Sequence, residues 1–347
     1  VNRTELVFDR PANLAATTPP EQRGIARDDI RLMVSSPSGH THTQFHDLPK
    51  FLRSGDLLVV NRSATLPASL PANGPLGLMT LNLSTNYGGN LWLAEPRWSP
   101  SKQGPLPLKA GESLCVAGVT GRLVAQYPGL PRLWFVQFDA SIEVEMVRKG
   151  QPIRYGYLEG SYPLSTYQTV FADTPGSAEM PSAGYPFTQP LVNALRTRGV
   201  LMADITLHTG VSSLEVEVDE VERHPLYPEP FVVSASTAQA VNEARSEGRR
   251  IIAVGTTVVR ALESAWDNDA NGLRAASGFT RLYITPTHGV HVVDGLITGL
   301  HDPVTSHLAM LYAIAGQTLV RDAYAEAVRE GYLWHEFGDS HLILARE

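Results

Sequence analysis

The stretch Arg250-Ile251-Ile252-Ala253-Val254-Gly255-Thr256-Thr257-Val258-Val259-Arg260-Ala261-Leu262-Glu263 sets the fold. Its first part is a short β-branched run with no polar alternation, as in a strand buried on both faces. Gly255 then breaks the run, two hydroxyls follow, and Val259, Leu262 and Trp266 recur at helical spacing. A strand running through a glycine turn into a helix is half of a βαβ unit. The junction also points free backbone N–H groups at one spot, which suits a carboxylate, a phosphate or ribose hydroxyls. A plain Thr-capped turn has the same sequence features, so both readings stand.

The same grammar extends in both directions. Asp56-Leu57-Leu58-Val59-Val60-Asn61 is a second apolar run, and Ile30 to Val34 a third. Helical stripes are carried by Leu191 and Leu195, by Ala240, Val241 and Ala244, by Leu308, Leu311, Tyr312 and Ala315, and by Val320 to Val328. Strands fall at Val200 to Leu207 and at Leu342-Ile343-Leu344. Alternation of this kind predicts a largely parallel sheet with helical crossovers. Asp47-Leu48-Pro49 reads as a helical turn with Asp47 as its cap.

Between Pro67 and Gly150 the pattern changes. Met79, Leu81 and Leu83 alternate with other residues, and Asn86-Tyr87-Gly88-Gly89-Asn90 is a hairpin signal before Leu91 and Leu93. Leu114-Cys115-Val116 and Leu123-Val124-Ala125 flank Gly118 and Gly121 as a second hairpin. Many short strands at turn spacing predict a small barrel or sandwich. The fold class expected is therefore an α/β main domain with a small inserted β-barrel domain, residues 1–66 and 151–347 forming the first and 67–150 the second. With 347 residues and about 150 residues per domain, two domains fit the length.

Composition narrows the function. The net charge of −7 is not that of a chain that wraps nucleic acid by bulk electrostatics. An RNA partner then needs a local basic patch, and Arg245, Arg249 and Arg250 are one small cluster, more simply read as a solvated helix end. The lone Cys115 excludes a disulfide framework and a multi-thiolate zinc site. Cys115 sits in an apolar run and is expected to be buried. No apolar stretch reaches the length of a membrane span and no signal peptide is evident, so a cytoplasmic, membrane-free, monomeric protein is expected.

Three further segments carry possible chemistry. Thr206-Leu207-His208-Thr209-Gly210 ends a strand, where α/β sheets gather ligands, and His208 is either an acid/base or a structural histidine. Met180-Pro181-Ser182-Ala183-Gly184-Tyr185-Pro186-Phe187-Thr188 offers small residues for close approach, and Tyr185 or Phe187 for stacking on a base. Its alternative is a loop entering a helix capped by Thr188. In Gly299 to His307, the residues His301, Asp302 and His307 are metal-ligand types without regular ligand spacing, so no metal is expected and a Thr305 or Ser306 cap is favoured.

Taken in order, these segments resemble the S-adenosylmethionine:tRNA ribosyltransferase-isomerase family of queuosine biosynthesis. Asp47 to Asn61 looks like its first signature, and Tyr167-Gln168-Thr169-Val170-Phe171-Ala172 with Pro175-Gly176-Ser177 like its second. Ile252 to Thr257 with Arg260 and Leu262-Glu263-Ser264 is the closest match, followed by Asp294 to Thr298 with His301 and Pro303, and by the tail from Ala323 to Asp339. The resemblance implies ribosyl transfer from S-adenosylmethionine, as donor substrate, to 7-aminomethyl-7-deazaguanine in tRNA, with rearrangement to epoxyqueuosine and no metal. It implies His208, Thr257 and His301 as catalytic. It implies Asn61, Tyr167, Gln168, Ser182, Gly184, Phe187, Gly210, Gly255, Thr256, Arg260 and Glu263 as substrate-binding.

The chain also departs from the family pattern. Family members follow the first-signature Asn with Asp-Thr-Arg; here Asn61 precedes Arg62-Ser63-Ala64. Their Thr-Ala-Gly-Leu-His-Phe becomes Ser182-Ala183-Gly184-Tyr185-Pro186-Phe187, and their His-Val-Gly-x-Gly-Thr-Phe becomes His208-Thr209-Gly210-Val211-Ser212-Ser213-Leu214. Their Asn-Phe-His-Leu-Pro-Lys-Ser becomes Gly299 to Thr305, without the lysine. Fewer cations weaken the grip on phosphate or carboxylate. The alternative expectation is therefore a non-catalytic or re-purposed paralogue that binds S-adenosylmethionine, a nucleoside or RNA.

Overall fold

The structure is a computed structural model that describes residues 2–211 and 218–345. Ser212, Ser213 and Leu214 of the His208 segment lie outside the described residues.

Leu57–Asn61 and Ile251–Val254 are buried at every position. Their side chains alternate between two cores. Leu57, Val59, Ile251 and Ala253 join one cluster, while Leu58, Val60, Ile252 and Val254 join another. A strand sandwiched this way must be apolar throughout, which is why the sequence shows no polar alternation there. The helices Ala235–Ser246, Thr256–Ser264, Ser306–Ala315 and Gln317–Arg329 cover the first face. The helix Gln189–Thr197 and the 3-10 turn Phe45–Lys50 cover the second. Thr188 caps the first of these by accepting from the Leu191 N–H, and Thr305 caps Ser306–Ala315 by accepting from the Leu308 N–H.

Among the described residues the main sheet has nine strands. Their order is Ala276–Thr280, Glu229–Val233, Leu201–Leu207, Leu57–Asn61, Ile251–Val254, Gly295–Gly299, Ser340–Leu344, Arg31–Ser36 and Gly39–Gln44. The four from Leu201–Leu207 to Gly295–Gly299 are mutually parallel. Ser340–Leu344 runs antiparallel to Gly295–Gly299, and the strands at both edges are added as antiparallel pairs. The sheet is thus mixed rather than largely parallel. Antiparallel pairs flank the helix-covered centre at both edges, and period-2 patterns alone do not reveal strand direction.

The barrel is closed in the order Leu130–Phe138, Leu91–Arg97, Gly77–Asn86, Ser69–Gly74, Ser113–Val116 and Val119–Tyr127. Met79, Leu81, Leu83, Leu114, Val116, Trp134, Val136 and Phe138 fill it. Cys115 departs from expectation: between buried Leu114 and Val116 it points outward and is exposed, as the strand's two-residue period requires. Inside the barrel wall Arg97 and Glu95 form an ion pair, each 1% exposed. Arg97 Nη1 also donates to the Arg154 carbonyl (3.0 Å), which fixes the chain just before Tyr155. Tyr127 and Tyr87 hydroxyls donate to the Leu226 and Pro228 carbonyls (3.1 and 3.0 Å), so barrel and main sheet are bonded together.

Asp47 is not a cap. It lies within the turn Phe45–Lys50, where its carboxylate accepts from the Thr43 hydroxyl (2.6 Å) and pairs with Lys50 (2.7 Å). The arginine cluster is engaged rather than free. Arg245 lies over the Trp266 ring, Arg249 pairs with Glu247, and Arg250 grips the buried Asp56 with two nitrogens. No described helix is long and apolar enough to cross a membrane.

Candidate functional site

A cleft of about 470 Å³ opens at the carboxyl ends of the parallel strands, the position at which open α/β sheets bind ligands. Four chain segments converge there: Gly255-Thr256-Thr257 after Ile251–Val254, Thr298 to His301 at the end of Gly295–Gly299, Thr209 beyond Leu201–Leu207, and Glu179 to Ala183. Tyr155, Gly156 and Tyr157 after the barrel close one side, with His335 and Glu336 from the C-terminal turn.

The Gly255 turn is shaped by backbone geometry. Its φ is +96°, a region glycine enters without strain, and a Cβ there would stand 3.3 Å from the Ala183 methyl. The helix Thr256–Ser264 therefore begins beside the loop carrying Ser182, with its amino end on the cleft. Asn61 orients Thr257. Its Nδ2 donates to the Thr257 hydroxyl (3.2 Å) and to the Leu207 carbonyl (2.9 Å), while its Oδ1 accepts from the Ser63 and Leu207 N–H groups. Asn61 is a positioning residue behind the cleft.

One turn on, Arg260 donates to the Glu229 carboxylate and to the Leu282 carbonyl. The other oxygen of Glu229 accepts from the Gly210 N–H (2.7 Å). Gly210 has no room for a side chain, since a Cβ would press on the Ser84 hydroxyl and stand 2.5 Å from the Tyr227 hydroxyl. This glycine is required for packing, and it acts on the cleft only through Glu229.

His301 and His307 stack with ring centroids 4.7 Å apart, and His301 Nε2 is 2.8 Å from the Thr298 hydroxyl. Burial holds His301 well below the ordinary imidazole range and pushes His307 down to about 4. Burial thus favours the neutral imidazole at both positions. Asp302 ion-pairs with Arg10 (2.7 Å) instead of joining the two imidazoles. Among the described residues no group of three His, Cys, Asp or Glu side chains is placed to hold a metal ion.

Several predicted site residues do not reach the cleft. His208 is half-buried on the far side of its strand end, its Nδ1 2.7 Å from the Ser63 hydroxyl and its ring against Gly176. Gln168 makes two bonds to the backbone of Thr65, acting as an extra rung between segments. Tyr167 is buried against Phe337. Gly184 packs on Thr169 and Phe171. Glu263 accepts from the His291 and Val292 N–H groups and holds that loop. Neither aromatic offered for base stacking is available: Phe187 is fully buried between Phe45 and Phe171, and Tyr185 is buried under Arg27 with its hydroxyl on Glu21.

Sequence reasoning missed the acidic end of the cleft. Glu179 is fixed by Thr209, whose hydroxyl donates to the Glu179 carbonyl (2.6 Å). The turn carrying His335 and Glu336 is tied by Asp339, which accepts from the Leu333 and Arg31 N–H groups. His335 has a φ of +77°, rare for a non-glycine residue, and stacks on Tyr157 at 4.1 Å. A positive φ leaves no mark in sequence, and the two glutamates are far apart along the chain.

A family model described as "Queuosine biosynthesis protein" matches residues 3–343. The chain is 38% identical over 339 residues to the S-adenosylmethionine:tRNA ribosyltransferase-isomerase of Thermus thermophilus, covering 94% of this chain and 97% of the relative. Identity to the Deinococcus radiodurans protein of the same name is 36% over 351 residues, covering 97% and 94%. Among solved structures, the crystal structure of S-adenosylmethionine tRNA ribosyltransferase from Thermotoga maritima matches with a TM-score of 0.54 at 27% identity, covering 98% of this chain and 100% of that one.

Proposed function

The chain belongs to the queuosine biosynthesis protein family, and from that premise we propose that it is a cytoplasmic transferase-isomerase. In this reading it moves the ribosyl unit of S-adenosylmethionine onto 7-aminomethyl-7-deazaguanine in tRNA, giving epoxyqueuosine. The observation that carries it is the convergence of Gly255, Thr256, Thr257, Ser182, Arg260 and His301 on one cleft at the strand ends.

The side chains suit the chemistry. The amino end of Thr256–Ser264 and the Thr257 hydroxyl are donors for ribose oxygens. A sulfonium acidifies the C–H beside it, so a neutral imidazole within reach acts as base. His301 or His307 fills that role. The imidazolium so formed gives that proton to the adenine as its glycosidic bond breaks; the acceptor amine sheds one N–H proton to solvent as it bonds to the sugar, and methionine leaves with the C–S electron pair as the epoxide closes. Arg260, already bound to Glu229, fixes the cleft wall that includes Leu282.

Adenine release from S-adenosylmethionine is the test. It should require tRNA bearing the aminomethyl base and fail with tRNA lacking it. Release with the free base but not with tRNA favours a small-molecule acceptor. No adenine with any acceptor leaves the binding-only paralogue.

A further inference from the structure

One end of the cleft has a chemistry that the ribose reading does not use. Glu336 faces it with Oε2 buried and without a hydrogen-bond partner. Glu179 lies close enough to repel it electrostatically, and both line the cleft. Beside them Tyr155 and Tyr157 stack in parallel (5.8 Å, 2°), and His335 stacks on Tyr157 in turn. Arg260 is the one permanently cationic side chain among the described lining residues, and its charge is met by Glu229. Arg97 lies over the Tyr155 ring (5.5 Å), so this ring already receives a cation, and carboxylates beside aromatic rings are a recognition chemistry of organic cations.

We propose that Glu336 and Glu179, with the Tyr155–Tyr157 wall, form a subsite for an onium group, the sulfonium or primary ammonium of the ligand. The identity of the ligand rests on the adenosyl reading above; the charge preference rests on the cleft alone. Without a cation beside it, the Glu336 carboxyl favours its protonated form. Burial first, and then Glu179, push the Glu336 carboxyl up to about 8. The other groups facing it are Tyr157 and Tyr167, with His335 and the Arg10-paired Asp302 beyond. An arriving cation replaces that proton, so binding at pH 7 releases it to solvent.

Titration calorimetry of the full chain at pH 7, in two buffers of different ionisation heat, tests this. S-adenosylmethionine, S-adenosylhomocysteine and adenosine are the probes. Release of nearly one proton with S-adenosylmethionine is expected. Glu336→Gln should abolish the release and weaken that ligand about 10- to 100-fold while sparing adenosine. Glu179→Gln, a second variant, should reduce the release by relieving the repulsion. Release with S-adenosylhomocysteine as well, which keeps the ammonium only, assigns the ammonium to the subsite; release with S-adenosylmethionine alone assigns the sulfonium.

If all three bind and none releases a proton, the subsite is refuted and the adenosyl cleft stands. If none binds, the adenosyl reading fails and trimethylsulfonium decides the subsite, followed through the carboxyl signals of glutamate-labelled protein. The Glu336 signal, recognised by its loss in the glutamine variant, should move toward the ionised position with trimethylsulfonium but not with tert-butanol. An unmoved signal overturns the proposal.

Discussion

Glu336→Gln should change how stability depends on pH. The carboxyl is pushed from an ordinary 4.5 up to about 8 by burial and by Glu179. A raised folded-state value means that the folded protein holds its proton more tightly than the unfolded chain. That contribution is complete below pH 4.5, declines as pH rises, and is gone above about 8. Each tenfold gain in proton affinity is worth about 1.4 kcal/mol, so the rise from 4.5 to about 8 sets a ceiling of about 5 kcal/mol. Water entering the cleft screens the charge, and about 2–4 kcal/mol is the expected loss between pH 4.5 and 9. Glutamine keeps the shape and cannot ionise. Denaturant unfolding of both proteins at pH 5, 7 and 9 should therefore show the variant gaining on the wild type by that amount as pH rises. A difference that stays constant within about 0.5 kcal/mol across the series would mean that Glu336 is ionised throughout, and would refute the reasoning.

Other substitutions separate packing from chemistry. Gly210→Ala drives a methyl into the Ser84 and Tyr227 hydroxyls and should cost about 2–4 kcal/mol in urea unfolding; a neutral result would show that this junction yields. His208→Ala removes a bond to Ser63 and should cost about 1–2 kcal/mol of stability with adenine release changed by less than about twofold; a loss of about a hundredfold would return that imidazole to the chemistry. Arg260→Lys keeps the charge but not the fork that meets Glu229 and Leu282, so kcat/KM for adenine release should fall about 10- to 100-fold, and wild-type turnover would exclude a role for that geometry. His307 is held neutral down to about 4. Because the unfolded chain binds that proton at a higher pH, acid unfolding between pH 6.5 and 4 should be resisted by His307→Gln, by up to about 3 kcal/mol.

What the sequence determined by itself is periodic or local. Leu57–Asn61 and Ile251–Val254 are apolar without alternation because both faces are covered, and that requirement is written residue by residue. Thr188 and Thr305 cap helices through bonds reaching only three residues along the chain. The barrel hairpins and the Gly255 turn were legible for the same reason, and the family signatures are runs of this kind. Gly255, Thr256, Thr257, Ser182, Arg260 and His301 do line the cleft, but strand direction and the rest of the cleft's membership were not legible. Phe187, Tyr185, Tyr167 and His208 sit in motifs that looked exposed to ligand, yet tertiary packing turned each into a neighbouring segment. Glu179 and Glu336 carried no local signal, and only the folded chain sets them together. Burial and mutual repulsion, which give a carboxyl its altered affinity for a proton, are properties of distance through space.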